Sequence, residues 1–238
     1  MTSPSVRTPT STDQPLAEAI AALAETPADV PGLDVHLQRV AQLAVDRIAA
    51  VDYAAISQRP DGASCFVAAS GELIDAVEDV SSAVAQPQTP IAAGTGTATT
   101  MTWPDFPEAA AAMGMRVVSV PLFTGSGATI AMLDLYSRDA GTIRAITTGI
   151  CAAYDPDLPL PAGSDDMATL DAGGEELLAG FAEALSVRAT IQLALAMIGK
   201  TAPDGTGEAY PQLRLHAVGQ GVSLLNAAND IVLRSFGA

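Results

Sequence analysis

Two apolar segments rich in β-branched residues, Met115–Leu122 (MRVVSVPL) and Thr129–Ser137 (TIAMLDLYS), flank the glycine-rich turn Thr124-Gly-Ser-Gly127. Strand-like runs joined by such a turn form an antiparallel hairpin, because glycine accepts positive φ without strain. An earlier pair repeats the arrangement. Asp52–Gln58 reads as a strand, Arg59-Pro-Asp-Gly62 as a turn in which proline fixes φ, and Cys65–Ser70 as the returning strand.

Helical patterns surround these hairpins. Pro15–Glu25 is Ala/Leu-rich and stops at a Thr-Pro-Ala-Asp-Val-Pro-Gly break. Leu33, Leu37, Val40, Ala44 and Ile48 recur at spacings of three or four, which predicts a helix with one apolar face. Glu72–Val84 also reads as a helix, Gln86–Gly96 as a loop and Ala98–Thr102 as a short strand. Trp103-Pro-Asp-Phe-Pro107 then leads into an Ala-rich helix that Gly114 ends, and Ile143–Tyr154 is apolar enough to cover the sheet. Helices that feed hairpins, with one helix-containing crossover, imply an α+β fold with an antiparallel sheet and helices packed against it.

Past Tyr154 the pattern changes. Asp155–Asp166 holds three prolines and reads as a linker. Beyond it Leu177, Phe181, Ala184, Arg188, Ile191, Leu195 and Ile198 alternate in steps of four and three, a heptad seam on one long helix. Two readings of the seam stay open: pairing with a second copy, or packing against the chain's own helices. Gly199 and Pro203-Asp-Gly-Thr-Gly207 end the long helix, and Glu208–Val218 and Leu224–Phe236 follow as two shorter ones. The expected organisation is a disordered tail over 1–14, a sensor-sized domain over 15–155, a linker over 156–170 and an all-α three-helix domain over 171–238.

The chain carries a net charge of −16, which argues against a general nucleic-acid binder. The charge is uneven, however. From Leu185 onward four basic residues (Arg188, Lys200, Arg214, Arg234) stand against three acidic ones (Asp204, Glu208, Asp230). The two cysteines, Cys65 and Cys151, suit a reducing compartment, and neither His36 nor His216 lies in a ligand-spaced cluster, so no metal or other cofactor is expected. No apolar run approaches the twenty residues of a bilayer span and the first residues lack a signal-peptide core, so a soluble cytoplasmic protein is expected. No catalytic constellation assembles either. Gly94-Thr-Gly96 and Gly125-Ser-Gly127 lack the residues of a phosphate loop, and Ser119 precedes Val-Pro rather than forming a nucleophile elbow. The carboxylates read as solvated surface charge, and the expectation is a protein that is not an enzyme.

With this pattern in place, residues 30–155 resemble a GAF domain. The resemblance rests on Trp103-Pro-Asp-Phe106, Gly114, Val118-Ser-Val-Pro-Leu122 and Ala131-Met-Leu-Asp-Leu-Tyr-Ser137, with the helix Leu37–Val45 ahead of them. Residues 170–236 resemble an ANTAR domain through Ala184-Leu-Ser-Val-Arg188, Ile191-Gln192, Ala194, Ile198, Glu208-Ala-Tyr210, Leu213-Arg214, Ala217, Leu224, Ala227-Ala228 and Ile231-Val232. The order of the two modules is that of actinobacterial antitermination regulators. The resemblance implies a GAF-like sheet that senses a small molecule and a long helix that pairs two copies through Leu177, Phe181, Ala184, Ile191, Leu195 and Ile198. It also implies a three-helix module that binds hairpins in nascent RNA leaders, with Arg188 and Arg214 at matching positions and Lys200 a further candidate nearby. Trp103 and Phe106 are the candidates for lining a ligand pocket, or for anchoring their loop to the core. The chain departs from the family pattern where Leu195 and Ala196 stand in place of the usual Lys and Gly, which thins the basic surface. A sensing or protein-interaction dimer whose ANTAR-like domain has lost RNA binding is the alternative.

Overall fold

A computed structural model describes residues 15–57, 66–69, 110, 113–155, 170–201 and 209–236. In chain order its elements are α1 (Leu16–Glu25), α2 (Leu33–Arg47), β1 (Tyr53–Ser57), β2 (Phe66–Ala69), β3 (Arg116–Phe123) and β4 (Thr129–Ser137), then α3 (Ala140–Tyr154), α4 (Ala172–Thr201), α5 (Ala209–Gln220) and α6 (Leu224–Phe236). The mixed helix-and-sheet class expected from the sequence is observed. The four strands form one antiparallel sheet in the order β2-β1-β4-β3, so β4 lies inside it. The Arg59–Gly62 turn, the Glu72–Val84 helix, the Gln86–Gly96 loop, the Ala98–Thr102 strand, Trp103 and Phe106 lie outside the described residues, as do 1–14 and most of the 156–170 linker.

Strand alternation sorts the sheet into two faces. Ala54, Ile56, Val118, Val120, Leu122, Ala131, Leu133 and Leu135 point into a core shared with α1, α2 and α3. Local signals place the covering helix. Asp139 caps α3 by accepting from the Gly141 amide at 2.9 Å. At the far end of β4, Arg138 grips the buried Asp52 carboxylate, with Nε at 3.1 Å and Nη2 at 2.5 Å, tying the exit of β4 to the entry of β1.

The long helix α4 belongs to this same core. Leu177, Phe181, Ala184 and Ile191 of the seam are 0–1 % exposed, and Val187 and Ala194 join them. Leu195 and Ile198 are partly buried against the same cluster. The chain's own helices pack along α4, chiefly α1 and α6, with α3 and α5 beside them. The core runs unbroken from Leu16 to Ala228, across the boundary that the proline-rich segment suggested. Asp171 pins the start of α4: one carboxylate oxygen caps the Gly174 amide at 2.7 Å, and the other accepts from the Ala49 amide at 2.6 Å. Glu176 adds a bond from the Leu16 amide at 2.9 Å and a pairing with Arg47 at 3.7 Å.

By length and composition Ala172–Lys200 is apolar enough to cross a membrane. Counting uninterrupted apolar runs missed this, because Glu175, Glu176, Glu183 and Arg188 punctuate the helix. Its buried side chains are engaged with the chain's own helices, as a helix apolar on several sides requires.

The approach of α4 to α1 is close enough to demand glycine. A Cβ on Gly180 would lie 2.7 Å from Ala17 Cα and 2.8 Å from its carbonyl oxygen, both backbone atoms that cannot turn aside. In an open helix Gly→Ala stabilises by about 1 kcal/mol; here the steric conflict reverses the sign. Gly180→Ala is expected to lower stability by about 1–3 kcal/mol in urea unfolding. Gly219→Ala, with open space around it on α5, should be neutral or gain up to about 1 kcal/mol.

Candidate functional site

The sheet face turned away from the helical core carries the polar chemistry. Val117, Ser119 and Pro121 of β3 lie there by strand alternation, beside Met132, Asp134 and Tyr136 of β4 and Tyr53, Ala55 and Ser57 of β1. Register sets Ser119 and Ala55 directly opposite Asp134, one on each flank, and Ser57 opposite Met132. The Ser119 hydroxyl donates to Asp134 Oδ1 at 2.5 Å, and the Ser57 hydroxyl donates to Oδ2. One carboxylate is thus held from both neighbouring strands. Next to it on the same face, Tyr53 and Tyr136 are paired in register, their rings edge-to-face with centroids 5.5 Å apart. Ser119 and Asp134 fall within the segments that carry the GAF resemblance, but strand patterns alone do not reveal that register brings them together with Ser57. The signal was present: an Asp at the centre of an otherwise apolar strand.

The basic residues of the C-terminal helices do not gather on one surface. Arg188, a seam residue, turns toward the sheet. Its Nε donates to the Gly127 carbonyl at 2.9 Å, where Gln192 Nε2 also donates at 3.3 Å. Its Cζ lies 4.8 Å from the centre of the Phe123 ring, which stacks in turn on Phe181. Gly127 has φ +73°, and a Cβ there would meet Gln192 Cγ at 2.9 Å, so the turn needs glycine both for its shape and for the helix that leans on it. The same turn sends the Gly125 amide to the Thr26 carbonyl at 2.7 Å, at the end of α1.

Arg214 on α5 pairs with Asp29 in the α1–α2 connection. The neighbouring guanidinium hydrogen bond, ahead of a weak opposing desolvation, holds the Asp29 carboxyl below its ordinary range. On α5 and α6, Asp230 accepts from Arg234 Nε at 3.0 Å and lies 3.3 Å from His216 Nε2. The His216 contact first, and Arg234 after it, lower the Asp230 carboxyl. Lys200, in the last turn of α4, is exposed and has no partner among the described residues. Of the three candidate RNA contacts, one therefore faces the core, one faces the α1–α2 connection and one faces solvent. Burial pushes the Tyr154 phenol up, partly offset by the nearby Arg188 charge, and burial likewise raises Tyr210.

Cys151 is an exposed free thiol, and no group of His, Cys, Asp and Glu among the described residues is arranged to hold a metal ion. Comparison with protein-family models, with curated proteins and with solved structures returned no match.

Arg188→Ala should cost about 1–3 kcal/mol of stability, because it removes a charged donor from a carbonyl as well as the ring contact. Arg188→Lys should restore little of it, since a lysine head cannot both stack flat and donate in plane. Lys200→Ala should stay within about 0.5 kcal/mol of the parent. For Asp29, a carboxyl depressed in the folded state stabilises above its unfolded value of 3.8, and that contribution fades as pH falls through the lower folded value. Carboxyl NMR titration should find the Asp29 midpoint below 3.8, and Arg214→Ala should bring it back toward that value.

Proposed function

We propose that this chain is a cytoplasmic, signal-responsive regulator. In this reading the GAF-like sheet domain senses a small molecule, and the ANTAR-like three-helix module binds hairpins in nascent RNA, favouring an antiterminator fold over a terminator. The supporting observation is the β3–β4 hairpin. Its strands carry Ser119 and Asp134 on the face turned away from the helical core, and its turn presents the Gly127 carbonyl to Arg188 of α4. A ligand that shifts these strands shifts the turn that α4 leans on. Packed interfaces respond to such displacements in discrete steps rather than by smooth deformation.

Arg188 and Arg214 are both held against the sheet domain in the described conformation. In the proposal this is the form in which phosphate contacts are withheld, and RNA binding follows release of Arg214 on α5 from Asp29 and of Arg188 on α4 from the Gly127 turn. A homodimer would form through surfaces other than Leu177, Phe181, Ala184 and Ile191, which the monomer already fills.

One observation favours a second reading. Leu215, Val218 and Leu233 are 73, 78 and 72 % exposed on the sides of α5 and α6 turned away from the core. Apolar side chains suit a protein surface better than a phosphate backbone. They fit a protein-interaction module whose ANTAR-like helices have lost RNA binding.

A gel shift with two-hairpin leader RNA separates the two readings. The RNA reading expects a complex at low salt that weakens as salt rises, and Lys200→Ala should reduce the salt slope by about one phosphate contact. Absence of a complex at any salt, or one indifferent to Lys200→Ala with Arg214→Ala, would leave the protein-interaction reading in its place.

A further inference from the structure

Among the described strands β3 is an edge: it pairs with β4 on one side and with no other strand. The hairpin fixes which way its backbone groups point. The Thr124 amide bonds the Ala128 carbonyl across the turn, and alternation from there turns Leu122, Val120 and Val118 toward β4. Val117, Ser119 and Pro121 therefore aim their backbone groups outward. The proline, which has no N–H, sits where no ladder bond is lost. Val117 is 50 % exposed, and Arg116 and Ser119 are exposed beside it. Among the described residues nothing bonds the outward N–H and C=O of Val117 or Ser119.

A bare edge of this kind pairs with another strand unless it is guarded. Here the guards stand at its two ends. The Met115 amide is already bonded to the Ala110 carbonyl at 2.9 Å, and Pro121 offers no amide hydrogen. The free groups between them are complementary to themselves. If a second β3 runs antiparallel with a two-fold axis at Val118, each Val117 faces Ser119 of the other chain. Every outward N–H and C=O of these residues is then matched. Sliding the axis to Ser119 would set Val117 against Pro121 and leave the Val117 carbonyl without a donor.

Charge favours the same stretch. The chain carries −16, so two copies repel at long range. From Met115 to Leu133, however, the only charged residue is Arg116. In the pairing about Val118, Arg116 faces Val120 of the other chain and not its own counterpart, which avoids opposing like charges. This edge is therefore a place where two acidic chains can meet with little repulsion.

We infer that β3 pairs with β3 of a second copy, antiparallel about Val118, joining the two sheets edge to edge in a two-fold dimer. The pairing occupies the same edge of both chains, so it closes instead of growing. A contact of this length is small beside the roughly 1,600 Å² of a standard interface, so the dimer is weak and concentration-dependent. It supplies a homodimer surface for the proposed regulator but rests on the strand edge alone, not on RNA recognition.

Sedimentation velocity of the full chain over a concentration series tests it, with amide hydrogen exchange measured at both ends of the series. A monomer–dimer equilibrium is expected, and the Val117 and Ser119 amides should exchange more slowly as the dimer fills. Val117→Lys places a cation of each chain on the pairing strand and should raise the dissociation constant about tenfold or more. Val35→Lys, on the exposed surface of α2, should leave it unchanged. A chain that stays monomeric throughout, or that dimerises without protecting these two amides, overturns the inference, as does a dimer indifferent to Val117→Lys. If Val117→Lys does not fold, amide protection in the parent decides alone. A monomer that still shifts leader RNA rejects the pairing and keeps the RNA reading; a β3-paired dimer without an RNA complex does the reverse.

Discussion

Where Gly180 passes Ala17, two helices meet with almost no side chain between their backbones. This contact lets α4 sink into the core beside the sheet instead of lying over it. Phe181, the next residue, then reaches Phe123 at the end of β3, and their rings stack with centroids 6.2 Å apart. Two turns further along α4, Arg188 arrives over the same Phe123 ring and meets the Gly127 carbonyl. The position of α5 and α6 follows, since both pack on the half of α4 that this chain of contacts has fixed. A side chain at Gly180 would displace every contact downstream of it.

The β3–β4 hairpin is the second half of the arrangement. A single turn bonds the end of α1 through the Gly125 amide and the middle of α4 through the Gly127 carbonyl. The strands that lead into it hold the Asp134 cluster on the opposite sheet face. Sheet face and turn are continuous along β3 and β4, and the turn is hydrogen-bonded directly to α4. The proposed sensing and output roles both draw on this continuity.

Much of the architecture was legible because it is encoded locally. Alternation marked β3 and β4, glycine marked the turn at Gly127, and the bounds of α6 coincide with the apolar pattern Leu224–Phe236. Partnerships were not legible, for a physical reason. A heptad seam shows which side of a helix must be buried but not what buries it, and α4 packs against α1, α3, α5 and α6 of its own chain. The Pro-rich stretch suggested separate modules, yet Asp171 reaches across it to the Ala49 amide and ties the two together. The charge of Arg188 was legible, but not the Gly127 carbonyl and the Phe123 ring that it meets on another element. Asp134 was missed for the converse reason, because its significance lies in the register that brings Ser57 and Ser119 to it.

A chain with one continuous core must unfold as one unit, and this consequence separates the account from a two-domain alternative most directly. Differential scanning calorimetry of the full chain measures it. A shared core predicts a single transition whose calorimetric and van't Hoff enthalpies agree. Two resolved transitions, or a calorimetric enthalpy well above the van't Hoff value, would mean that residues 171–238 fold independently of the sheet domain and would contradict the coupling described above.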